Sequence, residues 1–371
     1  MSDKSARRLV EEIAGFGLPR PETDSRIAQV PEHLWPYALG SLASQRLTGI
    51  ALEAFYQEAV TLSDEQAEQL LARHRDLMLH ALGLERALLH IAAGLDEAEI
   101  EFLVLKGAAL AHTRYPNASW RPFGDVDLLV RGGDFARAGK VLESLGHRRR
   151  LPEPAAGFDE KFGKGAEYRN DAGTEVDLHR TLTLGPFGLW IEPGELFDRS
   201  STFALGGRVL RRLGDADLLL HACIHAALGW YPPLLLPIRD VAQTAAGPVD
   251  WTLVAELVRR WRLAVVLRHA FELQTRTLDC PPPHELALDG LEPGRGEQKA
   301  LEAYVSARRW RGATEISSIR AISGLSNKAS YVRALLLPSA EFLAARTRGR
   351  HARPLAARWN GFARKMARRR R

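Results

Sequence analysis

Two cysteines, Cys223 and Cys280, in a chain of 371 residues cannot build a disulfide framework or, by themselves, a zinc site. No run of eighteen apolar residues occurs, so a transmembrane helix is not expected. The first residues, Met1-Ser2-Asp3-Lys4-Ser5-Ala6-Arg7-Arg8, lack an apolar signal core. No internal repeat is seen. These absences read together as a cytoplasmic, bacterial-type protein. Acid is also missing from one end: residues 346–371 hold eleven Lys or Arg and no Asp or Glu. The whole chain carries +6, so residues 1–345 carry −5. A mildly acidic body therefore ends in an intensely basic tail. Runs of like charge behave as interaction tails or solvated ends. The aromatic and basic mix around Arg358-Trp359 suits an anionic membrane surface or a nucleic acid. The acidic body argues against a broad nucleic-acid groove, which would be basic.

What is present is an ordinary globular composition, 46% apolar, in a chain long enough for two or three packed units. Residues 1–98 read as helical, with apolar residues at three- and four-residue spacing over Ala43–Ala59 and Glu65–Ala93. Ser63-Asp64-Glu65-Gln66 supplies a helix start. Between 99 and 205 strands alternate with helices: 102–106, 125–130, 146–150, 166–170 and 174–181 read as strands, and 133–145 as a helix ending at Gly146. Asn170-Asp171-Ala172-Gly173 is a hairpin turn signal. From 206 to 345 the chain reads as helical again, with Asp215 and Asp250 as caps. Residues 346–371 are the tail. The fold class expected is α+β, a mixed sheet with flanking helices between two helical regions.

The chemistry concentrates in Phe123-Gly124-Asp125-Val126-Asp127-Leu128-Leu129-Val130. Strand alternation puts Asp125 and Asp127 on one face and Val126 and Leu128 on the other. Two close carboxylates repel unless a cation sits between them, and Mg²⁺ is commonly held by one or two carboxylates plus substrate phosphates. Upstream, Phe102-Leu103-Val104-Leu105-Lys106-Gly107 reads as a short strand ending at a Lys-Gly pair before a helix. Gly107 lets backbone approach a ligand, a helix N-terminus offers N–H groups to anions, and Lys106 adds a charge suited to phosphate. Downstream, Thr174-Glu175-Val176-Asp177-Leu178-His179 alternates again. Asp177 there can complete a metal site.

These segments resemble the DNA polymerase beta-like nucleotidyltransferase superfamily, and more closely its branch of bacterial uncharacterised nucleotidyltransferases. The likeness rests on Leu105-Lys106-Gly107, Arg121 to Val130, Leu145-Gly146-His147 and Asp177-Leu178-His179, and covers roughly residues 80–245. One departure stands out: the wider superfamily has Gly-Ser or Gly-Gly where this chain has Lys106-Gly107-Ala108, so a serine contact to phosphate is missing. The resemblance implies a nucleotidyltransferase-type core and a metal-dependent transfer from a nucleoside triphosphate, ATP for one, to a hydroxyl-bearing acceptor. That acceptor is a small molecule, a sugar, a peptide or a tRNA end. It implies Mg²⁺ or Mn²⁺ on Asp125, Asp127 and Asp177, these three as the catalytic acids, and nucleotide contacts from Lys106, Gly107, Arg121 and His179. For Arg121 the competing role is an ion pair with the aspartates. For His179 it is a backbone-bonded structural histidine. A non-catalytic nucleotide-binding or interaction protein on the same fold is the alternative function.

Other features carry less. His221 and His225 share a helix face, but without a third ligand they read as a buried or cleft-lining pair. Arg148-Arg149-Arg150 suits a phosphate patch or a charged strand edge. Trp120, Trp190, Trp230 and Tyr231 could stack on a base, but aromatic residues are more often core, and nothing in the sequence identifies a base-binding slot.

Overall fold

In a computed structural model of the chain, the described residues are 2–20, 30–230, 232–286, 290–307 and 313–347. The basic tail from residue 348 onward and Tyr231 lie outside them. The centre is a seven-stranded mixed sheet. Its strands are β1 (Phe102–Val104), β2 (Val126–Val130), β3 (Arg148–Arg149), β4 (Gly165–Arg169), β5 (Glu175–His179), β6 (Ser201–Leu205) and β7 (Arg208–Arg212). The order is β3-β4-β5-β2-β1-β7-β6. β2 runs parallel to β5 and β1 parallel to β7, and the other pairs are antiparallel. Helices precede and follow this sheet in sequence, as the α+β expectation had it.

Alternation along the strands divides the sheet into two faces with different work. Phe102, Val104, Val126, Leu128, Val130, Val176 and Leu178 turn to one side. There they pack on Leu84, Leu88, Ile91 and Leu95 of the long helix Asp64–Glu97 and on Ala138 and Leu142 of Phe135–Ser144. The residues between them, Leu103 and Leu129, turn to the other side and join the larger core built by the N- and C-terminal helices. Asp127, Asp177 and His179 share that second face. The parallel register aligns Asp127 with Asp177 and Leu129 with His179.

Local signals place several boundaries. Ser63 closes a capping box with Gln66: its Oγ accepts from the Gln66 N–H at 3.3 Å, and Gln66 Oε1 accepts from the Ser63 N–H at 3.1 Å. Asp250 caps Trp251–Arg260 by accepting from Leu253 N at 3.0 Å. Gly146, with φ +85°, ends Phe135–Ser144. Gly173, with φ +87°, closes the β4–β5 turn on the Asn170 carbonyl at 3.0 Å.

Three features differ from the sequence expectation. The apolar pattern over 43–59 is not one helix but parts of two, Trp35–Ser44 and Thr48–Tyr56. Between them Arg46 takes φ +57° and the Leu47 N–H donates back to the Leu42 carbonyl at 2.8 Å. That is a helix-ending turn made without glycine. Asp215 is the first residue of Asp215–Leu228, and the cap position belongs to Gly214. The Asp215 carboxylate instead takes Arg212 at 2.8 Å and Arg114. The sheet also runs beyond residue 205, because β6 and β7 form a hairpin around Gly206-Gly207, both at positive φ.

Candidate active site

β1 delivers the chain into a turn at Lys106-Gly107 before the helix Lys106–Thr113. Gly107 has φ +24° and ψ −114°, a conformation that side chains other than glycine rarely adopt. Across the sheet, Lys106 Nζ and His179 Nε2 meet the same oxygen, Asp127 Oδ1, each at 2.8 Å. Burial alone would raise the Asp127 pKa. The Lys106 charge and the His179 hydrogen bond overcome it and hold the carboxyl well below its usual range. Burial, reinforced by the Lys164 charge, lowers His179 to about 4. His179 is therefore a neutral imidazole at pH 7, donating from Nε2 to a carboxylate. Its Nδ1 has no hydrogen-bond partner among the described residues.

Asp177 is the most accessible member of the group, with its side chain 27% exposed against 1% for Asp127. Burial and the Asp127 charge raise its pKa to about 6. Asp125 is also raised, by burial and by Asp127, against the charges of Lys106, Arg46 and Arg121. Two carboxyls raised by a third mark the like-charge repulsion that a divalent cation relieves. Ligand atoms of Asp127, Asp177 and His179 lie within 4.8 Å of one another. The carboxylate oxygens of Asp127 and Asp177 suit a hard divalent cation, while His179, which donates from Nε2 to Asp127, orients one of them. Asp125 stands outside that group of three. It precedes β2 and faces the adjoining cleft beside Asp127.

The cleft has a volume of about 380 Å³. Its floor is Lys106, Gly107, Asp125 and Asp127; Arg46 borders one side, and His225 and Trp230 another. His221 and His225 sit on Asp215–Leu228, and burial together with the Lys106 charge keeps both pKa values well down. Neutral histidines are what a helix packed beside a buried ammonium can carry. Trp120 is buried and packs against Phe16, and Trp190 packs edge-on against Phe187. Of the described tryptophans proposed to stack on a base, only Trp230 lines the cleft.

Arg121 is arranged differently from the expected phosphate contact. Its Nε and Nη2 donate to the two oxygens of Asp240 at 2.7 Å each, and its Nη1 donates to the Gly107 carbonyl at 3.1 Å. The Tyr115 hydroxyl donates to the same Asp240 at 2.7 Å. The guanidinium fork is thus committed to a carboxylate on the helix Leu235–Ala245, and its third arm steadies the Lys106-Gly107 turn. Arg148, Arg149 and Arg150 each pair with an acid, Asp171, Asp159 and Glu167, at the sheet's β3 edge.

Three residues of this neighbourhood were missed in the sequence: Arg46, Lys164 and Asp240. Lys164 stands beside the acids just before β4, and burial and the Lys106 charge lower its pKa. Its signal was available, because Gly163-Lys164-Gly165 is a second glycine-flanked lysine at a strand end. A Cβ on Gly165 would collide with the Leu178 carbonyl, so that glycine is required for β4 to lie against β5. Arg46 and Asp240 are distant in sequence and carry no local motif.

A family model described as "Uncharacterised nucleotidyltransferase" matches residues 31–279. That span includes Arg46, the whole sheet and Asp240. No curated protein matches. Among solved structures, the chain is similar to the antibiotic-resistance factor ANT(2'')-Ia, with 19% identity and a TM-score of 0.34 over 50% of this chain and 92% of that one. It is also similar to an antigenic nucleotidyltransferase-like protein from Paracoccidioides brasiliensis, with 18% identity and a TM-score of 0.31 over 50% of this chain and 92% of that one. No helix among the described residues is long and apolar enough to cross a membrane.

Proposed function

Because the chain belongs to the uncharacterised nucleotidyltransferase family, we propose that it transfers a nucleotidyl group from a nucleoside triphosphate to a hydroxyl on an acceptor. The observation that carries this is the meeting of Asp127, Asp177 and His179 within 4.8 Å, next to the Lys106-Gly107 turn. Asp127 and Asp177, with Asp125 beside them, would hold Mg²⁺ or Mn²⁺. When bound, the metal would supply positive charge that stabilises the phosphoryl group in flight.

The chain's own residues do the rest. Lys106 and the Gly107 backbone hold phosphate oxygens on the cleft side of Asp127. Arg121 keeps that turn in place through the Gly107 carbonyl. Asp177, the most accessible acid, faces the acceptor and takes the proton from its hydroxyl. The hydroxyl oxygen bonds to the α-phosphorus, the bond from that phosphorus to the next phosphate's bridging oxygen breaks, and pyrophosphate leaves with the electron pair. The acceptor is a small molecule, a sugar, a peptide or a tRNA end. His179 orients Asp127 through Nε2.

A second function, non-catalytic nucleotide binding, has one observation in its favour: the Lys106 ammonium already neutralises Asp127. One experiment separates the two. The protein is incubated with each nucleoside triphosphate labelled at the α-phosphate, Mg²⁺ or Mn²⁺, and a cell extract. Transfer predicts one labelled acceptor and released pyrophosphate, both lost in Asp177→Asn. Nucleotide binding without any labelled product would overturn the catalytic proposal and leave the second function.

A further inference from the structure

Among the described residues lining the cleft, Arg46 is a cation with no ion pair. Arg46 is half-buried and lines the cleft, its guanidinium against Gly124 beside Asp125. Among the described residues no carboxylate lies within 4.0 Å of it, and its side chain donates no hydrogen bond. Its charge nonetheless reaches Asp125. Of the other cations near the acids, Lys106 pairs with Asp127 and Arg121 with Asp240, and Lys164 does not line the cleft. A guanidinium held between water and protein with its donors unspent suits a ligand rich in oxygens and negative charge.

The fold holds Arg46 in this position. The turn ending Trp35–Ser44 is closed by Leu47 N on Leu42 O, and the neighbouring Gln45 side chain accepts from Leu235 N at 2.7 Å. The N-terminal helices are thereby joined to the helix that carries Asp240. On the other side, Gly124 clears the path: a Cβ there would collide with the Arg46 guanidinium. The glycine just before the first aspartate has a φ open to any residue, so a side chain there would have to displace Arg46.

From this we infer that Arg46 is a phosphate-binding residue, closing from the N-terminal helices onto the terminal phosphates of a nucleoside triphosphate. The inference rests on the function proposed above. It adds that the helical region before the sheet is part of the substrate site. Arg46 and Lys106 both line the cleft with Gly107, so a polyphosphate on Gly107 would meet two cations.

The test uses the full chain and inorganic tripolyphosphate with Mg²⁺, so that neither base nor acceptor identity matters. Binding is followed by calorimetry, and folding by thermal denaturation. Arg46→Gln should weaken tripolyphosphate tenfold to a hundredfold at unchanged melting temperature, as expected for losing charged hydrogen bonds. Arg46→Lys should recover part of it. Gly124→Ala should weaken binding to a similar degree by displacing the guanidinium. The double variant Gly124→Ala with Arg46→Gln should be no weaker than Arg46→Gln alone. If wild type binds and Arg46→Gln binds equally well, Arg46 is a bystander and the inference falls while the proposed function stands. If Arg46→Gln instead lowers the melting temperature and leaves binding intact, Arg46 is a structural counter-charge for Asp125, and the inference falls again. If wild type binds neither tripolyphosphate nor any nucleoside triphosphate, the proposed function itself is overturned.

Discussion

Asp240→Ala should unfold this protein at a markedly lower temperature although Asp240 belongs to no recognisable motif. The Arg121 and Asp240 side chains are 4% and 1% exposed and joined by two bonds of 2.7 Å, so neither reaches bulk water. Removing one partner of such a pair strands the other charge and costs about 3–5 kcal/mol. The Tyr115 hydroxyl loses its acceptor as well, which adds about 1 kcal/mol or more. At roughly 2–4 °C per kcal/mol for a chain of a few hundred residues, the melting temperature should fall on the order of 10 °C. Circular dichroism during heating measures it. Replacing both residues together with apolar ones of similar size should recover much of the loss, since an apolar pair leaves no buried charge. The reasoning would be refuted by an Arg121→Ala variant that melts within about 2 °C of wild type yet no longer binds tripolyphosphate. That outcome would restore Arg121 to the phosphate-contacting role expected from the sequence.

Lys106→Ala should weaken nucleoside triphosphate binding roughly tenfold to a hundredfold and leave nucleoside binding unchanged; equal weakening of both would show that Lys106 only supports the fold. His147 is buried, and burial lowers its pKa from 6.5 against a hydrogen bond to the Leu142 backbone that raises it. The neutral form is favoured in the folded state, so its contribution to stability is present above pH 6.5 and is lost as pH falls below that value toward the folded-state pKa. Urea midpoints between pH 7.5 and 5 should therefore decline less steeply in His147→Leu than in wild type, by under about 1.4 kcal/mol per pH unit; superimposable profiles would contradict this.

The sequence was legible where chemistry and local geometry coincide. The alternation around Asp127 and Asp177 named two carboxylates, and the parallel register sets those two side by side. Lys106-Gly107 announced a turn, and Gly107 has the backbone that only glycine takes readily. His179 was expected to contact the nucleotide or to be a backbone-bonded structural histidine; in the structure its Nε2 bonds Asp127, close to Asp177. Its alignment with Leu129, two places along the ladder from the Asp127–Asp177 pair, could not be known before the strand pairing was. The β6–β7 hairpin was overlooked even though Gly206-Gly207 is a hairpin signal, because Arg208, Arg211 and Arg212 break the apolar alternation. Those arginines reach acids or carbonyls on other elements, such as Asp96 and Glu101. Arg46 and Asp240 were illegible for a different reason. Their roles exist only once the two helical regions close on the sheet, and no spacing within a segment records that.

The Arg121–Asp240 pair also orders events in time. A ribosome that has delivered residue 212 has delivered every strand of the sheet and every acid of the cleft. Arg121 then still lacks its counter-charge, and the large apolar face around Leu103 and Leu129 still lacks the helices that follow Asp215. The carboxylate that settles the guanidinium arrives with Leu235–Ala245, more than a hundred residues after Arg121 itself. Until those helices emerge, Arg121 has no counter-charge from Asp240 and this face of the sheet is uncovered. The cleft between Asp127 and the residues after Trp230 is therefore completed only after the whole sheet has been made.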